Sequence, residues 1–90
     1  MFRFKESVNV SYERQGYIYF TSLRYDELDE GKQKKIRKLC RECGGAHSKA
    51  LFEAVTTETS DGLICDTYYI SKSTLYRMKR EYYERFPLKL

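Results

Sequence analysis

The chain has 90 residues, a formal net charge of +4 and 41% hydrophobic residues, which fits one small domain with a modest core and does not suggest disorder. No run approaches the roughly 20 apolar residues of a membrane span, and the start, "MFRFKESVNV", has no apolar signal-peptide run. A cytoplasmic chain is expected, and three Cys in that setting argue against a disulfide framework.

Residues 2–25 read as a β-hairpin. "VNVSYE" alternates Val8, Val10 and Tyr12 on one face, and "YIYFTSL" is rich in β-branched and aromatic residues. "RQG" lies between them, with Gly16 free to take positive φ in a turn. Phe2 and Phe4 extend the pattern as a short third strand. The nine Tyr and five Phe suit either a contact surface or the edge of the core.

The period changes over residues 26–58, which read as two helices. Asp26 or Asp29 is placed to cap the first, with acids in its opening turn. Ile36, Leu39, Cys40 and Cys43 fall on one stripe of it, and Lys34, Lys35, Arg37, Lys38 and Arg41 spread over the rest. Gly44-Gly45 ends it. The second helix, "HSKALFEAVTTE", has Leu51, Ala54 and Val55 as its core face. Its closing threonines weaken it.

Residues 59–87 read as a helix-turn-helix. Ser60 or Thr59 caps a short helix holding Leu63, Ile64 and Cys65. A tight turn comes next, near Tyr69-Ile70. Ser71 caps a longer helix that Pro87 ends. Leu75, Met78, Tyr82 and Phe86 lie within about 80° on an ideal helix. The opposite face presents Lys72, Ser73, Tyr76, Arg77 and Arg80. From Ser71 to Leu90 there are six Lys or Arg and two Glu, so this stretch matches the whole net charge. The fold class expected is therefore α+β: mainly helical, with an N-terminal hairpin and a C-terminal helix-turn-helix.

This face suits duplex DNA. A recognition helix sets its N-terminal turns into the major groove. Arg77 has the fork for bidentate contact with guanine. Ser71 and Ser73 suit phosphates or base edges, Lys72 and Arg80 suit phosphates, and Tyr76 suits a thymine methyl or the sugar-phosphate backbone.

"ISKSTLYRMKREYYERF" resembles the helix-turn-helix of sigma-factor region 4 and of related small phage transcriptional activators. The resemblance runs from about Thr59 to Phe86, and the matched residues are Ile64, Cys65, Ile70, Ser71, Thr74, Leu75 and Tyr76. It implies promoter DNA as ligand, bound through Ser71, Lys72, Ser73, Tyr76, Arg77 and Arg80. A protein partner such as RNA polymerase is compatible with it. Cys65 stands where Ala is usual. There is one departure. Tyr69 holds a turn position often given to Gly, where a bulky residue needs negative φ or bears strain.

The competing function is a protein-binding adaptor or inhibitor built on the same two helices. A homodimer is a further expectation, formed through a tyrosine-rich hairpin edge. "CRECGGAH" raises a zinc set of Cys40, Cys43 and His47, with Cys65 as fourth ligand. Against it, both cysteines of the pair sit on an apolar stripe, where free Cys packs as a small hydrophobe. No metal or other cofactor is expected. The lone His has no evident nucleophile or carboxylate partner in sequence, and no phosphate-cradling loop is present, so no enzyme is expected.

Overall fold

The computed structural model describes residues 4–6 and 8–90. It is an all-α fold. Five α-helices run in order: α1 (Tyr12–Leu23), α2 (Glu30–Gly44), α3 (Ser48–Thr56), α4 (Asp61–Tyr68) and α5 (Lys72–Arg85). Short 3₁₀ turns at Tyr25–Glu27 and Gly45–His47 join the first three. Among the described residues there is no strand.

The expected hairpin is therefore corrected to a helix. Ser11 caps α1, its side chain accepting from the Arg14 amide at 3.3 Å. The buried residues of α1 are Gln15, Ile18 and Ser22, spaced by three and four as a helix requires. A strand would bury Ile18 and Phe20 together. Ile18 is fully buried, whereas Phe20 is 54% exposed. Gly16 lies inside the helix and makes no turn. Strand propensity is a weak preference that packing overrides. Phe4 lies in irregular chain, and the strand residue assigned at Phe2 falls outside the described residues.

Local chemistry marks the other helices. Asp29 accepts from the Lys32 amide at 2.9 Å and starts α2. Gly45 ends it at φ 53°, where a side chain would be strained. Ser60 and Ser71 cap α4 and α5 through the amides of Leu63 and Thr74. Thr56 and Thr57 each donate a hydroxyl to the carbonyl four residues back, at 2.7 Å. Such bonds weaken a helix end, and α3 stops there.

One core joins all five helices. It contains Ile18 of α1, the Ile36, Leu39, Cys40 and Cys43 stripe of α2, and Ala50, Leu51 and Val55 of α3. Ile64 and Cys65 of α4, Leu75, Met78 and Tyr82 of α5, and Phe86 beyond it complete the core. Tyr82 is fully buried, and its hydroxyl meets Ser22 Oγ at 2.8 Å. That bond satisfies two polar groups that would otherwise be costly to bury. Gln15 has a similar role at the other end of α1. Its amide accepts from Lys5 N at 3.0 Å and donates to the carbonyls of Lys5 and Val10, each at 2.9 Å. Lys5 and Val10, which precede α1, are thereby tied to it. No described helix is long and apolar enough to cross a membrane.

Leu75 sits in the middle of this core at 1% exposure. Leu75→Ala is expected to cost about 2–5 kcal/mol through the cavity it leaves. A thermal melt indistinguishable from that of the parent chain would show that α5 is rotated from this orientation.

Candidate nucleic-acid interface

Three residues, Tyr69 to Ser71, separate α4 from α5. The turn is closed by the amides of Tyr69 and Ile70, both directed to the Cys65 carbonyl, the latter at 3.2 Å. This helix ending places one residue in the left-handed region, commonly a glycine. Here that residue is Tyr69, at φ 56° and ψ 47°. That conformation costs a non-glycine residue about 1–2 kcal/mol. Its side chain is 93% exposed, so no burial offsets the strain. Ile70 is half-buried against the core. A salt bridge of 3.0 Å from Lys79 to Asp61 ties the start of α4 to the middle of α5.

The six residues expected to meet DNA are placed unequally. Ser71 is exposed but committed to its cap: it accepts from the Thr74 amide at 3.1 Å and donates to Thr74 Oγ1 at 2.9 Å. Its hydroxyl also lies 3.1 Å from that of Ser73. Lys72, Ser73, Arg77 and Arg80 are exposed, and Tyr76 is half-buried. On an ideal helix Lys72, Ser73, Tyr76, Arg77 and Arg80 fall within about 140°, facing away from the core stripe. The open end of this face is formed by Lys72, Ser73 and Arg77. Towards its other end, Tyr76 and Arg80 share a crevice with Lys5 and Val8 of the leading segment. The Asn9 amide also reaches Glu84 at 3.2 Å.

The cations of α5 sort into two groups. Lys79 is paired with Asp61, and Arg85 with Glu81 and Glu42 at 3.0 and 3.2 Å. Lys72, Arg77 and Arg80 have no carboxylate partner among the described residues, and all three lie on the outward stripe.

Two residues of this region do not stand out in the sequence as part of the surface. Tyr69 is visible there only as a departure at the turn. A side chain forced into the left-handed region at a tight turn is thrust outward, and that is the available signal. Lys5 is hidden because its place beside Arg80 depends on Gln15, ten residues away.

The cysteine set is not assembled as a metal site. Cys40, Cys43 and Cys65 are buried and free, whereas His47 is exposed. No group of three or more His, Cys, Asp or Glu that could hold a metal is found among the described residues. Burial pushes the Cys40 thiol up to about 12, with the neighbouring Cys43 adding to it. Burial also lifts Cys43 to about 11, with Glu81 contributing. Tyr68 donates to Glu53 at 2.7 Å, and that bond holds its hydroxyl above the ordinary range.

Comparison with known proteins finds no matching family model, no matching curated protein and no matching solved structure.

The buried thiols set an alkaline limit on stability. A group whose pKa is raised by folding keeps its proton longer in the native state. Its contribution is complete below the ordinary thiol value of 9.0 and is lost as pH rises through the folded values of about 11 and 12. Denaturant midpoints are expected to stay level up to about pH 9 and then to fall. Cys40→Ala should make that fall shallower. An equally steep fall in the variant would remove Cys40 as a cause.

Proposed function

We propose that α4, its turn and α5 form a helix-turn-helix that binds the major groove of duplex DNA, making this a small cytoplasmic transcriptional regulator. The observation that carries the reading is the sorting of cations on α5. Lysines and arginines flanking the core are neutralised by acids of the same chain. Those on the outward stripe are not. Unpaired cations along one exposed helix face are what phosphate binding with counterion release requires. The sequence resemblance at Ile64, Ile70, Ser71, Thr74 and Leu75 points to the same use.

In this reading α5 enters the groove by its first turns. Lys72 and Arg80 neutralise phosphates on either side, and Ser73 and Arg77 meet base edges. Ser71 contributes by holding the helix start, with its amide-directed cap already engaged. Tyr76 offers a ring edge beside Arg80. Tyr69 stands at the entrance of the groove, where its ring can lie against the sugar-phosphate backbone. Lys5 adds a cation beside Arg80. Every step is recognition, and none needs a cofactor. A promoter-bound RNA polymerase is the protein partner that fits such a regulator.

Binding to pooled duplex DNA, measured as a function of salt, tests this directly. Affinity is expected to fall steeply as salt rises. Arg80→Ala should weaken all sequences alike and reduce the salt slope by about one. Arg77→Ala should cost about 1–3 kcal/mol on preferred sequences and relax base preference. Binding that ignores salt, or variants that bind like the parent chain, would favour a protein-directed adaptor on the same scaffold.

Tyr69→Gly separates stability from binding at the turn. Relief of the left-handed strain is expected to stabilise the fold by about 1 kcal/mol, because an exposed ring is lost and no packing with it. DNA affinity should fall in the same variant. A melting temperature that drops would mean that the ring is packed, and unchanged affinity would remove Tyr69 from the interface.

A further inference from the structure

α1 has a second face. Its core stripe is Gln15, Ile18 and Ser22. The opposite stripe carries Glu13, Gly16, Tyr17, Phe20, Thr21 and Arg24, which line one open hollow on the surface. On an ideal helix these six lie within about 140°. Tyr17 and Phe20 are 42% and 54% exposed. Two large aromatics side by side on an outward helix face form the kind of patch that marks an interaction site.

The order of chemistry along this stripe identifies the occupant. When two copies of α1 lie antiparallel about a two-fold axis between Ile18 and Tyr19, Glu13 of one faces Arg24 of the other. Tyr17 of one then comes to the level of Phe20 of the other, close to the seam. Any helix stripe meets its own levels in this way. Geometry does not dictate that acid should meet base at both ends and aromatic meet aromatic in the middle. Opposed aromatic rings add to the burial. A parallel arrangement would set Glu13 against Glu13 and Arg24 against Arg24, which is repulsive.

We infer that the outer face of α1 pairs with the same face of a second copy, antiparallel, about a two-fold axis. The contact is isologous, so each copy contributes the same patch. Arg24 already bonds Glu27 of its own chain at 3.1 Å, but both groups are about two-thirds exposed. Such a pair is weak and leaves the guanidinium able to reach Glu13 of the second copy. One helix face falls short of the roughly 1,200 Å² that a stable dimer buries. The surface beside it continues past Tyr17 and Thr21 to Leu28 and Leu90. Lys72, Arg77 and Arg80 take no part, so this pairing stands or falls separately from the DNA reading.

Sedimentation equilibrium on the full chain, from micromolar to near-millimolar concentration, is the test. The parent chain is expected to pass from monomer to dimer. Glu13→Arg and Arg24→Glu should each weaken the dimer at least about tenfold, since each puts like charges at both ends. An equimolar mixture of the two should recover a heterodimer, because every charge then meets its opposite. Thr21→Arg, which puts bulk and charge at the flank of the seam, should remain monomeric and covers the case in which Glu13→Arg fails to fold. Circular dichroism melts establish which variants are folded. A parent chain that stays monomeric throughout, folded charge variants that dimerise unchanged, or a mixture no better than its components would each overturn the pairing.

Discussion

The orientation of α5 rests on Tyr82. Its ring is packed among Phe86 and Tyr83, at centroid distances of 5.5 and 6.0 Å. Its hydroxyl has a buried partner in Ser22 of α1. Apolar packing alone allows a helix to rotate by several degrees at little cost. A buried hydroxyl does not, because losing its partner leaves a desolvated group unsatisfied. Burial accordingly drives the Tyr82 pKa far upward, against the opposing effect of Ser22. With α5 fixed in rotation, Leu75 and Met78 go inward. Lys72, Arg77 and Arg80 must then go outward.

The same constraint explains what can be read from the sequence. Helices α2, α4 and α5 announce themselves because cap and period agree. Asp29, Ser60 and Ser71 each accept from an amide three residues on. The stripe from Ile36 to Cys43 is apolar throughout and buried throughout. In α1 these levels disagree. Two of its three buried positions are polar, and their partners lie outside the helix: Tyr82 for Ser22, and the backbone of Lys5 and Val10 for Gln15. Without those partners the inward stripe cannot be recognised, and Tyr, Ile and Phe in close succession imitate a strand. The outward set on α5 is legible because it is the complement of an apolar stripe. Which of its cations are neutralised is not, because Asp61 and Glu42 come from other helices.

The turn before α5 carries a trade between fold and surface. A glycine at position 69 would suit the backbone better, and the chain instead displays a tyrosine there with almost its whole side chain in water. Non-glycine residues in such conformations cluster where a side chain is needed at a fixed place. The position adjoins the open end of the α5 face, next to Lys72 and Ser73. The strain is local, since Ile70 and the capped Ser71 that lead into the helix are regular.

Arg14 ties the first helix to the segment beyond the last one. Its guanidinium donates to the carbonyls of Phe86, Pro87 and Leu88, and it lies over the rings of Tyr17 and Phe86 at 4.9 and 5.7 Å. More than seventy residues separate Arg14 from these carbonyls along the chain. During synthesis, α1 therefore emerges well before the groups that complete its packing. Ser22 waits for Tyr82, and Arg14 waits for Phe86. Until then α1 holds an amphipathic surface with polar groups on its inner side, and those groups remain compatible with water. Closure of the domain therefore requires α1 and the segment from Tyr82 to Leu88 to come together.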